Sequence, residues 1–352
     1  MRLILRIGQR APLLLALTCA GAMGPRANAA SCTTQAQMTP SQRDSLVSAA
    51  QNILVQVQQG DVQSIRANTL AAVAADFDAI ASSVTTLQPL LQHAAITIDN
   101  LYALDASAEP QGAPRTDFYC GSPVVTLNFV GLPSGTYAFV IVHGTGVPKP
   151  QQVSLMLAKT ADTHWMLAGI FSKPMTEADH DGLWYWVSAR KFAEKKMEWN
   201  AWLYYRLAVE LLAPVEFLSS SNLDKLHHEA DALHPAGLPG TDPVMINANG
   251  SAFTITEVDT TSALGPLDLN VHFNPDAVQT GRLRDPSAAR QQVVNLMAAM
   301  LALHPELRVA FHGIWVHADQ GNNSIFALEL PMTEVSPGPP QAQAANSTSS
   351  SP

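Results

Sequence analysis

At Ala95 the hydrophobic period of this chain changes from between three and four residues to two, and that switch limits the folds open to it. Before it, Leu46, Ala49, Ala50, Ile53, Leu54 and Val57 recur at helical steps, which predicts a helix over residues 41–58. Ser41 with Asp44 three residues on resembles a capping box. Gly60-Asp61 stops that helix and starts a second, which turns Ile65, Leu70, Val73, Phe77 and Ile80 inward before Pro89. After the switch, apolar residues alternate in separate runs: Ile96, Ile98 and Tyr102; Val124 to Val130; Tyr137, Phe139, Ile141 and His143; Val153, Leu155 and Leu157; Trp165, Leu167 and Phe171. Turn residues at Leu132-Pro133-Ser134-Gly135, Gly144-Thr145-Gly146 and Ala161-Asp162-Thr163 join the runs into an antiparallel meander. A meander after a helical hairpin gives an α+β layer with one sheet face covered.

The helical period returns over residues 176–235. Leu183, Trp184, Trp186, Ala189, Phe192 and Ala193 line one short helix, and Trp199, Ala201, Trp202, Tyr205, Leu207, Ala208, Leu211 and Leu212 line a second that ends at Pro214. Aromatic stripes at this spacing are core material, so the pair is expected to dock on the chain's own domains. Pro235 to Pro243 is a linker by composition. Beyond it, Phe253-Thr254-Ile255-Thr256 and Leu267 to Phe273 read as strands. Asp285-Pro286 opens a helix that buries Ala289, Val293, Leu296, Met297, Met300 and Leu301. Val309 to Ala318 and Ile325 to Leu330 then form a hairpin over Asp319-Gln320-Gly321-Asn322, a ββαββ order. The expected organisation is a leader at 1–29, an α+β domain at 30–175, a helical module at 176–235, a smaller α+β domain at 236–332 and a disordered tail at 333–352.

Arg2, Arg6 and Arg10, an apolar stretch from Ala11 to Ala22, and Ala27-Asn28-Ala29 form the three parts of a cleavable export signal. The apolar stretch is too short to anchor the chain across a bilayer, and no later stretch reaches that length. Cleavage after Ala29 also removes Cys19, whose preceding Ala16-Leu17-Thr18 is a poor lipidation context. It leaves Cys32 and Cys120, which an oxidising compartment would join as a disulfide. Loss of the four leader arginines takes the net charge from −9 to −13, which argues against nucleic acid or an anionic membrane as the main partner. With 47% apolar and 14% charged residues, there is ample material for packed cores.

The run Leu132-Pro133-Ser134-Gly135-Thr136-Tyr137, followed by Val153-Ser154-Leu155-Met156-Leu157 and His164-Trp165-Met166-Leu167-Ala168-Gly169, resembles a group of exported bacterial domains of unknown function. Their fold is a cone like that of nuclear transport factor 2 and ketosteroid isomerase. The resemblance covers about residues 40–175 and implies a cone-like antiparallel sheet with a helical hairpin, a scaffold that hosts enzymes and passive binders alike. Ala189, Phe192, Ala201, Tyr205 and Ala208, with Pro214 just after, resemble a single tetratricopeptide repeat, a unit that cannot bury its apolar face alone.

Chemistry is thinly marked. His227, His228 and Asp231, with Glu229 and His234, form the densest group of metal-type side chains, and His227 and Asp231 lie one helical turn apart. The HExxH spacing is absent, and a solvated helix end accounts for the group. His312 and His317 are five apart on one expected strand, so they face opposite sides and cannot be joint ligands from that strand alone. Catalysis in a cone cavity would need a carboxylate and an oxyanion donor; the candidates are Asp99, Tyr102 and His143, which form no motif. GxSxG and phosphate-loop patterns are missing, and no cofactor or metal is implied. The expectation is an exported, non-catalytic periplasmic binding or assembly module whose partner is another envelope protein or a small apolar ligand. The alternative is an isomerase-like enzyme using the cone cavity on a small apolar substrate.

Overall fold

A computed structural model describes residues 30–121 and 124–336. The expected leader, with Cys19, lies outside the described residues, as does the tail beyond residue 336. The chain is α+β, with antiparallel sheets and helices in comparable amounts.

Strand β1 (Ser31–Thr34) leads into helix α1 (Pro40–Gln59). The capping box of α1 lies earlier than Ser41 and Asp44: the Thr39 hydroxyl accepts the Gln42 N–H, and the Gln42 side chain returns to the Thr39 N–H. Gly60 ends the helix in the left-handed region, at φ 68°. What reads as one second helix is three: α2 (Val62–Ala67), α3 (Ala71–Ala74) and α4 (Asp78–Leu91), with Pro89 inside the last. The interruption has a tertiary cause. Leu70 N–H donates to the Leu167 carbonyl and Leu167 N–H to the Asn68 carbonyl, pulling the chain out of the helical ladder.

Eight further strands follow: β2 (Ala95–Asp105), β3 (Arg115–Cys120), β4 (Val125–Val130), β5 (Thr136–Thr145), β6 (Gln151–Lys159), β7 (Trp165–Pro174) and a small hairpin of β8 (Thr176–Glu177) with β9 (His180–Asp181). The main sheet has the order β1-β2-β5-β6-β7, antiparallel throughout and open at both edges. β3, which sequence reading passes over, pairs with β4 in a separate sheet, so the meander is not continuous. Cys32 and Cys120 join β1 to β3 as a disulfide, with Cα atoms 5.1 Å apart, inside the range the bond needs. One face of the main sheet packs Val140, Leu155 and Leu157 on Leu46, Ile53, Leu54, Val84 and Leu91 of the helices.

Helices α5 (Gly182–Glu194) and α6 (Glu198–Leu212) form the expected pair. Gly182 makes their close approach possible: a Cβ there would lie 2.6 Å from Leu212 Cγ. The chain then returns to the N-terminal unit. β10 (Leu218–Ser220) adds to β4, and Val215, Leu218 and Leu223 enter the core on the second face of the main sheet, ahead of α7 (Ser221–Asp231). A boundary at residue 175 therefore does not separate two independent packing units.

The last unit is β11 (Val244–Ala248), β12 (Ser251–Thr261), β13 (Asp268–Asn274), α8 (Ala277–Arg282), α9 (Pro286–Leu303), α10 (Leu307–Ala310), β14 (Gly313–Gln320) and β15 (Asn323–Pro331). It has one strand more than the expected ββαββ, and residues 307–310 are helical rather than part of the hairpin. The sheet runs in sequence order, antiparallel except for β13 beside β14, where the α8–α10 crossover makes the pair parallel. α9 starts as expected, with Asp285 accepting the Ala288 N–H and Pro286 in the first turn. Its Val293, Leu296, Met297 and Met300 lie fully buried on Leu269, Val271, Phe273, Ile314 and Val316. Each such side chain contributes about 1.5–3 kcal/mol by leaving water. The α5–α6 pair belongs to this same core, not to a module of its own. Val335, expected in the tail, is also part of it, and Arg308 holds the Met332 and Val335 carbonyls.

Candidate functional site

The cone-cavity candidates do not converge. Asp99 is exposed at a bulge in β2, beside the Asn100 amide, rather than capping a turn. Tyr102 is buried under the main sheet, and burial, then the charge of Asp99, pushes its hydroxyl above the usual range. His143 is half-buried and its Nε2 lies 3.3 Å from Gln152 Oε1 on the neighbouring strand. Among the described residues no hydrogen bond joins any two of the three. A cavity of about 500 Å³ opens beside Tyr102, lined also by Arg43, Asn100 and Cys120, but neither Asp99 nor His143 lines it, and aromatic rings pack over much of the rest of that sheet face. Phe217 meets Phe129, Phe139 and Phe171 at 4.9–5.6 Å between ring centres, and Phe118 packs edge-on against Phe129.

His227, His228 and Asp231 are exposed along α7 and form no group of three donors. Their neighbour Glu229 turns inward. Its carboxylate accepts two hydrogen bonds from Arg190, at 2.7 and 2.8 Å, one from Trp186 Nε1 at 2.7 Å and one from the Tyr205 hydroxyl at 3.3 Å. Arg190 also lies over the Trp186 ring. The hub fastens α7 to both helices of the pair. The Arg190 hydrogen bonds hold the Glu229 carboxyl below its ordinary value of 4.5, against burial. The native state therefore binds fewer protons than the unfolded chain between the two values. The stabilisation is complete above the ordinary value and is lost as pH falls through the folded one. Urea midpoints should accordingly drop on acidification below about pH 4.5. Glu229→Gln should flatten that acid limb and cost about 2 kcal/mol at neutral pH. A variant with the wild-type acid limb would refute the assignment.

A denser polar group lies on the face of the C-terminal sheet away from α9. Because Leu269, Val271 and Phe273 point to the core, Asp268, Asn270 and His272 point the other way, and on β14 Trp315, His317 and Asp319 do the same. The parallel pairing sets His272 opposite His317, and their rings stack 4.6 Å apart. Trp315 lies parallel to His317 at 5.7 Å. His272 Nδ1 meets Asp319 Oδ2 at 2.6 Å, and its Nε2 lies 3.0 Å from Asn270 Nδ2. Burial, and then the neighbouring His272, lower the His317 pKa and favour its neutral ring. On β12, burial holds the Asp259 carboxyl above the usual range.

At the end of this face Asp268, Glu329 and His312 come together, each offering one donor atom within 4.8 Å of the others. His312 and His317 do not meet; the partners of His312 come from β13 and β15. Asp268 is 1% exposed. Its Oδ2 accepts the Trp315 indole N–H at 3.2 Å, while its Oδ1 accepts no hydrogen bond and lies 3.4 Å from His312 Nδ1. Gly313 leaves the space into which these oxygens turn: a Cβ there would sit 2.5 Å from Glu329 Oε1 and 2.8 Å from Asp268 Oδ1. Burial, and then the charge of Asp268, hold the Glu329 carboxyl above the usual range. No protein-family model, curated protein or solved structure matches this chain.

Proposed function

We propose that this protein acts outside the cytoplasm as a non-catalytic binding or assembly module, built on a cone-type N-terminal domain and a tetratricopeptide-like pair locked into the C-terminal domain. The observation that carries the reading is that Asp99, Tyr102 and His143 do not converge on one cavity, on a sheet face over which aromatic rings pack. Water-excluding catalysis needs a cavity with converging polar groups, whereas the cavity beside Tyr102 holds neither Asp99 nor His143, and Phe118, Phe129, Phe139 and Phe217 form an apolar core beside it. The Cys32–Cys120 pair fits an oxidising compartment, and among the described residues no helix is long and apolar enough to cross a membrane.

The test is expression with the native leader, followed by purification from the cell envelope and mass spectrometry of whatever co-purifies in stoichiometric amount. The expected result is a bound protein or small molecule retained equally by the wild type and by Asp99→Asn, Tyr102→Phe and His143→Ala. Turnover of a small apolar ketone or ester that disappears in Asp99→Asn or His143→Ala would overturn the reading.

A further inference from the structure

We propose that Asp268, His312 and Glu329 form a binding site for one divalent transition-metal ion, zinc being the ion the donor set suits best. The proposal does not depend on the binding reading above. Two acidic residues beside a histidine would not suffice for it. Asp268 supplies the second observation. It is a carboxylate removed from solvent, with one oxygen accepting no hydrogen bond and turned towards the other two donors. A buried oxygen of this kind costs free energy unless a positive partner meets it. The nearest protein group is His312 Nδ1, an imperfect partner at 3.4 Å. That spacing is the edge expected between two ligands each about 2.1 Å from one tetrahedral ion.

The surroundings resemble those of a metal ligand set. The Trp315 indole N–H holds Asp268 Oδ2 and so leaves Oδ1 as the free donor, the orienting contact that ligating carboxylates commonly receive. Gly313 keeps clear the hollow beside both carboxylates. Two carboxylates would neutralise a doubly charged ion. The imidazole selects against calcium and magnesium, which prefer all-oxygen shells. Three protein ligands leave a tetrahedral ion one position for water or an exogenous anion. His312 is 56% exposed and also lines an adjoining cavity of about 520 Å³ with His180, Trp184, Tyr204 and Leu267, so that position is reachable from solvent.

The experiment is equilibrium dialysis of the purified, tag-free full chain against zinc sulfate with elemental analysis, alongside the visible spectrum after cobalt substitution. The wild type is expected to bind one zinc per chain, with excess calcium unable to displace it. His312→Ala, an exposed change that leaves the core intact, and Glu329→Gln should each weaken binding by at least about tenfold, and Trp315→Phe by about tenfold. Gly313→Ala keeps all three ligands yet fills the hollow, and should abolish binding while circular dichroism stays native. His227→Ala combined with His228→Ala should change nothing. A wild type that binds no zinc, displacement by calcium, or binding unaffected by both His312→Ala and Gly313→Ala overturns the proposal.

Discussion

Replacing Tyr204 with alanine is expected to cost about 3–4 kcal/mol, whereas Tyr204→Phe should cost only about 1 kcal/mol. The difference follows from what each change removes. The Tyr204 ring is 5% exposed and lies 5.0–6.0 Å from the rings of Trp184, Tyr185, Phe192 and Phe311. Three of those belong to α5, and Phe311 to the C-terminal unit. Alanine therefore opens a cavity at the seam where the helical pair meets the sheet domain. Phenylalanine keeps the ring and loses one hydrogen bond, from the hydroxyl to the Ala310 carbonyl at 2.9 Å. Burial pushes that hydroxyl up to about 12, so it remains a donor across the whole working range. Asn200 Nδ2 and Trp199 Nε1 reach the Glu306 and Ala236 carbonyls from the same helix, so the seam should weaken in Tyr204→Ala rather than open fully. Urea unfolding followed by tryptophan emission reads the effect, because Trp184, already 40% exposed, would lose one of its ring neighbours. Equal costs for the two variants would mean that the ring is not what holds the seam.

Local signals identified the elements that depend on local physics. Residues 41–58 and the Asp285-Pro286 start lie within one residue or so of α1 and α9, because a helix encodes its own hydrogen bonds and its apolar stripe. Partner choice is not encoded that way. The alternation of residues 124–130 is the same whether the strand joins the main sheet or leaves with β3. The three residues of β10 are too few to show a period at all. The break at Leu70 is made by Leu167, almost a hundred positions away in the chain, so no window over the helix contains its cause.

The same limit applied to the polar face. Asp268, Asn270 and His272 alternate visibly with Leu269, Val271 and Phe273, and that alternation alone could have marked one face of β13 as polar. His312 and His317 are not partners of each other; each meets side chains from neighbouring strands. Once β13 is known to lie beside β14, and β15 beyond it, Asp268 and Glu329 fall next to His312. The cone candidates failed for the opposite reason. Asp99, Tyr102 and His143 are the right residue types on the right sheet, but Asp99 lies exposed at a bulge, His143 turns to Gln152, and Tyr102 packs in an aromatic core with Phe118, Phe129, Phe139 and Phe217.

Removing the Cys32–Cys120 bond is expected to be the largest single loss of stability in the N-terminal unit. The bond closes a loop of 88 residues, for which the entropy of the unfolded chain gives an upper value of roughly 4–5 kcal/mol. The native geometry adds a local reason. β1 is a four-residue edge strand held to the sheet only through β2, and the disulfide is its covalent tie to β3 on the opposite layer. Cys120 is fully buried among Tyr102, Leu104, Phe118 and Leu127, so a serine there would add the cost of an unpaired hydroxyl. The cleaner variant is therefore Cys32→Ala with Cys120→Ala. Its melting temperature should fall by about 10 °C, given the size of the unit. Wild-type protein in reductant should show the same fall, and the double variant should no longer respond to reductant. Calorimetry should also show the loss in one transition, since the core shared by α5, α6 and the C-terminal sheet contains neither cysteine. Intact mass without reduction gives an independent reading, as the oxidised chain is lighter by two hydrogens. Two free thiols in protein taken from an oxidising compartment, or a double variant that melts with the wild type, would defeat the bond and the stabilising role given to it.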